Sequence, residues 1–192
     1  MSIVKDTYNK KAVPALMEKF AYKSSMAVPK IEKVIINTGL GRLMASKGPT
    51  DQAKFMNDVI SKDLAMITGQ KPAPTKARKS IAGFKLRQGT ITGAKTTLRG
   101  GRMYDFIDRL INVVLPRSRD FRGLGINSVD ENGNLTIGIK EHIFFPEISI
   151  EQIKQAFGLE ITIVTTANTK EEGVELFSQL GFPFQKQDGQ EI

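Results

Sequence analysis

The sequence contains no cysteine and only one histidine, His142. The first absence removes disulfides, thiolate metal sites and cysteine nucleophiles together, and suits a reducing compartment. The second excludes a metal centre built from several imidazoles. His142 itself, in the stretch KEHIFF, reads as a strand-end or interface residue rather than a catalytic one. Long apolar runs are missing too. MSIVKDTYNKKAVPALMEKF at the N-terminus lacks the apolar block of a secretion signal. No later stretch approaches the roughly 18 apolar residues of a membrane span. The expectation is a soluble, cytoplasmic protein without metal, cofactor or membrane partner, and neither internal repeats nor low-complexity tracts break the chain.

Acid is the most unevenly missing component. The net charge of +8 conceals a split: residues 1–129 carry 24 Lys and Arg against 9 Asp and Glu, whereas residues 130–192 carry 4 against 11. Between Lys71 and Tyr104 there are nine cations and no acid at all. Such a stretch repels itself unless a polyanion lies against it, so the charge pattern points to nucleic acid before any motif is considered.

What is present organises into strands separated by helices and hairpins, without a regular alternating βα pattern. A helix is predicted from about Lys11 to Tyr22, with Pro14 in its first turn, followed by a strand over residues 29–39. A second helix should run from Thr50 or Asp51 to Ile67 and stop at Gly69. An edge strand near residues 71–75 then leads into a long exposed loop at about 76–88. In AKTTLRG, Ala94, Thr96 and Leu98 alternate with Lys95, Thr97 and Arg99, the two-residue period of a half-buried strand. The stripe Met103, Phe106, Ile107, Leu110, Ile111 and Val114 marks a third helix, ended by Pro116. Asn132 and Gly133 supply a hairpin turn into NLTIGIKEH. Two capping boxes follow, Ser149 with Gln152 and Thr169 with Glu172, each opening a short helix, and LEITIVTTA between them has strong strand propensity. The order implies an α+β fold of one domain over residues 1–192, an antiparallel sheet with helices packed on one face.

GTITGAKT, residues 89–96, resembles a phosphate loop and raises the alternative of a nucleotide hydrolase. The spacing is short by one residue between the glycines, and Ala94 separates Gly93 from Lys95. A true phosphate loop also needs a helix beginning at its lysine, whereas this lysine opens an alternating strand. No catalytic residue is assigned, and the chain reads as a non-enzyme.

Five co-linear phrases, PKIEKVIINTGLG, ITGQKPAPTKARKSIAGFKLRQG, GRMYDFIDRLINVVLPRSRDFRGL, GIKEHIFFPEI and ITIVTTANTKEEG, cover most of the chain. In them the sequence resembles the bacterial large-subunit ribosomal protein family that binds 5S rRNA, number five of that subunit. The resemblance implies a sheet whose open face meets 5S rRNA in the central protuberance, among large-subunit rRNA and neighbouring proteins. It places Asn37, Gln70 and Thr97 on that RNA, with Thr38 and Lys71 beside them. It further implies that the loop carrying Lys76, Arg78, Lys79, Lys85 and Arg87 reaches the peptidyl-site tRNA. A bridge to a protein of the small-subunit head falls in the segment around Arg117 to Gly133. The residue chemistry fits: Lys95 and Arg99 suit phosphates, and short amide and hydroxyl groups suit RNA shape and base edges.

Overall fold

A computed structural model of the chain describes residues 2–45, 48–84, 86–119, 121–149, 151, 153 and 155–185. Its five-stranded sheet has the order β2-β3-β1-β5-β4, with β1 Ile31–Gly39, β2 Ala73–Lys76, β3 Ile91–Leu98, β4 Leu135–Ile139 and β5 Leu159–Thr165. Neighbours run antiparallel. β2 and β3 pair Ala73 with Lys95 and Thr75 with Gly93. The end of β1 meets the start of β3 (Leu40 N–H to Thr92 O, 2.8 Å), and the start of β1 meets the end of β5 (Thr166 N–H to Lys30 O, 3.0 Å). The backbone clusters into two compact units. Residues 1–34, 99–137 and 162–192 form the first, and 35–98 with 138–161 the second.

In the first unit, three helical segments pack through apolar stripes that the sequence periodicity foreshadows. The N-terminal segment comprises α1 Ile3–Thr7, a π-helical turn Tyr8–Ala12 and α2 Val13–Phe20, so it starts well before the expected Lys11. Its first turn is held from a distance: the Val4 amide donates to Asp108 Oδ1 (2.9 Å), and the Ser2 hydroxyl donates to the same carboxylate. No local sequence rule reports such a cap. Lys19 Nζ bonds Glu175 Oε2 at 2.7 Å, and the Tyr22 hydroxyl donates to Glu172, tying this segment to α8, Lys170–Gln179. Burial alone would raise the pKa of Glu175, but the bonds from Lys19 and from Gln179 outweigh it and hold the carboxyl below its ordinary range. The expected cap on α8 is present, with the Glu172 amide donating to Thr169 Oγ1 at 3.3 Å.

Pro14 lies in the first turn of α2, but the helical run it sits in begins earlier, and Pro116 does not end its run. Each follows a π-helical turn by two residues: Tyr8–Ala12 precedes Pro14, and Leu110–Val114 precedes Pro116. A proline ring collides with the carbonyl four residues back and offers it no N–H. In the wider turn the Val13 amide reaches back five residues to Tyr8 O, and the Leu115 amide to Leu110 O. The ladder is thereby loosened just where the ring enters. Consequently the segment of α6 Gly100–Arg109 continues through α7 Leu115–Arg117, one residue past Pro116. Most of its stripe is buried as expected, with Phe106, Ile107, Leu110 and Val114 fully covered, while Ile111 is only half-buried.

The second unit is built around β3. Short α3 Gly41–Ala45 is followed by α4 Pro49–Phe55, a π-helical turn Met56–Ile60 and α5 Ser61–Thr68. This run ends on Gly69 at φ +65°, the left-handed stop that its glycine foretold. Ile60, Leu64 and Ile67 are wholly buried, and so are Ala94 and Leu98 of β3. Gly93 is where the strands close up: a Cβ there would lie 2.4 Å from the Thr38 carbonyl oxygen and 2.9 Å from Thr75 Oγ1. Of the helix expected to open at Ser149, Ile153 and residues 155–158 lie in no helix, and Glu151 lies in a 3-10 turn. Gln152, half of its capping pair, lies outside the described residues.

His142 is wholly buried in this unit, its ring stacked on Phe157 at 3.9 Å between centroids. Nδ1 accepts the Phe157 amide at 3.4 Å, so the ring proton sits on Nε2, 3.5 Å from Asp63 Oδ2. Burial pulls the His142 pKa below the ordinary histidine value, with Asp63 opposing it. The folded state therefore resists protonation, and stability is complete above the unfolded-state value and falls as the pH drops below it.

Between about pH 7 and pH 5.5, above the range of the ordinary carboxylates, the unfolding midpoint should fall in the wild type. It should stay flat in His142→Gln, whatever that substitution costs in itself. Gly93→Ala should lower the unfolding free energy by about 2 kcal/mol in urea melts, through strand separation. Gly101→Ala, whose Cβ would meet nothing within 4 Å, should stay within roughly 0.5 kcal/mol of wild type.

Candidate nucleic-acid interface

In the second unit β1 and β3 each bury one face, and the pleat assigns the other to solvent. On β3, Ala94, Thr96 and Leu98 are buried, Lys95 is exposed and Thr97 half-exposed, the register that the alternation predicts. Arg99, exposed, follows in extended conformation as the residue capping α6. Asn37 lies half-buried on the open side of β1, and its Nδ2 donates to Glu160 Oε2 on β5 at 3.2 Å. The β2 register continues the same face, because residues paired across strands share a side: Ala73 lies with Lys95 and Thr75 with Gly93.

Thr38 falls on the other side. It is buried, and its hydroxyl donates to Gly158 O at 2.8 Å, so it cannot offer that group to a ligand on the open face. Adjacent strand residues point oppositely, and Asn37 and Thr38 cannot both face RNA. Gln70 sits half-buried just past the left-handed Gly69, its backbone engaged on both sides by Thr68 Oγ1. Lys71 is exposed, on the stretch that leads into β2. The structure thus assembles Asn37, Lys95 and Thr97 on one surface, sets Gln70, Lys71 and Arg99 at strand approaches, and removes Thr38.

The long loop extends β2 and β3 as a hairpin. The Ala77 amide donates to Thr90 O (2.8 Å), the Gly89 amide returns to Ala77 O (3.0 Å), and Ile81 bridges to Leu86. Lys76, Arg78, Lys79 and Arg87 are all exposed; Lys85 lies outside the described residues. Phe84 at the tip is 77% exposed and so does not tuck onto the core. Below it lies an open groove of about 1020 Å³, whose walls include Arg42, Met44, Phe84, Leu86, Arg87 and Ile91. Arg42 escaped the sequence reading because it lies far from the cation-rich span, in a helix that no periodicity announced. The only available signal was the glycine pair that flanks Leu40.

The phosphate-loop alternative does not survive this geometry. Residues 91–98 are one strand, Gly93 is demanded by contact with β1, and no helix starts at Lys95. Among the described residues no group of three or more potential ligands could hold a metal ion. No helix among them is long and apolar enough to cross a membrane.

In the segment 117–133, Arg117, Arg119 and Arg122 are exposed. Leu124 is pinned by exchange with the C-terminal strand-like stretch, its amide donating to Pro183 O at 2.7 Å. The expected turn closes with Gly133 at φ +70° and the Asp130 amide bonded to Asn134 O at 2.9 Å.

Residues 24–87 match the family described as ribosomal protein L5, and residues 91–184 match the C-terminus of that ribosomal family. A protein of Halothermothrix orenii named large ribosomal subunit protein uL5 is 51% identical over 184 residues, spanning 96% of this chain and 99% of its own. The protein of the same name from Lacticaseibacillus casei is 51% identical over 183 residues, with coverage of 95% and 98%.

On β3 the buried Thr96 stands next to the half-exposed Thr97. The buried Thr96 hydroxyl has no hydrogen-bond partner. Thr96→Val should therefore raise the unfolding free energy by roughly 1 kcal/mol, read as a higher midpoint in denaturant. A drop would show that the hydroxyl is satisfied after all.

Proposed function

The chain belongs to the ribosomal protein L5 family, and from that premise we propose that it is a structural constituent of the large ribosomal subunit that binds 5S rRNA through the open face of its sheet. The observation that carries the reading is the division of β3: Lys95 and Thr97 face outward while Ala94, Thr96 and Leu98 are buried. Lys95 and Arg99 neutralise phosphates, and the release of condensed counterions supplies affinity. Asn37, Gln70 and Thr97 read shape, base edges and 2′-hydroxyls from fixed backbone positions. Lys71 adds charge at the entrance to β2. The protein helps to seat 5S rRNA against large-subunit rRNA and neighbouring proteins in the central protuberance.

The hairpin at 76–88 performs a second task in this reading. Its exposed Lys76, Arg78, Lys79 and Arg87, together with the exposed Phe84, contact the peptidyl-site tRNA. Lys85 belongs to the same proposed set. The arginine-bearing segment 117–133 contacts a protein of the small-subunit head. These three surfaces are supported by exposure and charge, and each is separable by substitution.

Binding of labelled 5S rRNA across a salt series distinguishes the roles. Lys95→Ala should flatten the dependence of log affinity on log salt by about 0.7–0.9. Thr97→Val should weaken binding by about 1 kcal/mol and leave that slope unchanged. Lys79→Ala should spare 5S rRNA affinity and reduce tRNA contact on assembled particles. Equal affinity of the wild type for an unrelated folded RNA of the same length would reject the reading.

A further inference from the structure

One residue on the open face contradicts a purely phosphate-binding surface. Among the strand residues of the second unit, Glu160 is the one acid, and it is exposed. Its carboxylate accepts the Asn37 amide, and because a carboxylate has no donor this contact fixes which end of Asn37 turns toward it. A phosphate placed over this pair would meet a like charge. A group that donates hydrogen bonds would not.

The floor beside the pair is bare. A shallow depression is lined by Asn37, Gly39, Ile139, Gly158, Leu159 and Glu160. Antiparallel pairing extends from the Thr136–Thr162 hydroxyl contact at 3.3 Å and sets Gly138 opposite Glu160 on the neighbouring strand. Neither Gly39 nor Gly138 has a left-handed φ, and a Cβ on either would meet nothing within 4 Å. Glycine weakens a strand interior, and among the described residues no contact requires it at these positions. Close approach by an outside molecule would.

We infer that Asn37 and Glu160 form a base-reading site for an unpaired guanine of the bound RNA, whose N1–H and N2–H₂ donate to the Glu160 carboxylate while its ring lies over the glycine floor. Guanine is the one RNA base with two adjacent donors on its Watson–Crick edge. Adenine and cytosine offer one amino group flanked by a ring acceptor, and uracil offers one N–H between two carbonyls, so each would press a lone pair against the carboxylate. The asparagine holds the carboxylate in place and accounts for its own position on the face. This site rests on the RNA-binding reading above and adds a specificity that cations alone cannot give.

The test uses full-length protein and 5S rRNA transcripts in which inosine, which lacks the N2 amino group, randomly replaces guanosine. Bound and unbound transcripts are then compared by interference mapping. Wild-type protein should exclude inosine at one discrete unpaired position. In Glu160→Gln that exclusion should vanish and affinity for the unmodified transcript should fall about tenfold. Simple charge logic expects the opposite, a rise, when an acid facing a polyanion is neutralised. Unchanged or tighter binding by Glu160→Gln, or the same interference map in both proteins, overturns the site while leaving 5S rRNA binding intact. Absence of selective binding by the wild type overturns both. Glu160→Ala, tested alongside with thermal unfolding of each variant, guards against loss of fold, since Glu160 is exposed.

Discussion

The close approach of β3 to β1 at Gly93 is the constraint on which the open face depends. With hydrogen alone at that Cα, the Thr38 carbonyl and the Thr75 hydroxyl pack where a methyl group would overlap them. Three strands are thereby locked side by side. A slip of one residue would turn Lys95 and Thr97 under the helices and bring Thr96 and Leu98 into solvent. The glycine that made residues 89–96 look like a phosphate loop is in fact the residue that keeps them a strand. Its missing side chain serves the protein's own packing and no nucleotide.

Much of this was legible in the sequence, for a physical reason. Period-two alternation in AKTTLRG and the stripe from Met103 to Val114 are both readouts of burial, and burial is what the sheet and helices realise. Position relative to the pleat is legible in the alternation of β3, but the resemblance names Asn37 and Thr38 together, and adjacent residues of one strand must face opposite sides. Glu160 went unnoticed because an isolated acid in a strand of high propensity carries no local mark. Only its proximity to Asn37, far away in the chain, reveals it.

Helix boundaries were harder, because their determinants are not local. The N-terminal segment begins at Ile3 since Asp108 supplies the acceptor for the Val4 amide and the Ser2 hydroxyl, and that partner is 104 residues from Val4. Prolines misled in the same manner. A rule based on α-helical geometry places Pro14 at a start and Pro116 at a stop, yet both lie in continuous helical runs because a π-helical turn precedes each. The widened turn removes the carbonyl clash and leaves only the missing donor, a smaller penalty.

In the proposed reading, the hairpin of the second unit supplies charge while its strands carry the short polar groups, with Lys95 among them. Lysine and arginine each carry about 2 kcal/mol of rotamer entropy, and a hairpin that presents them exposed gains attraction while specifying little. Asparagine and threonine have few rotors and, seated on strands, lose little on binding. A surface meant to distinguish one RNA loop from another therefore needs short polar groups on rigid backbone, with cations at its margins. Asn37 and Thr97 stand on strands, whereas Arg78, Lys79 and Arg87 stand on the hairpin beyond β2. At physiological salt the field of those hairpin charges is screened over about 8 Å. They add attraction wherever a phosphate comes near, but they cannot decide which base lies over the strands; that decision is left to groups in direct contact.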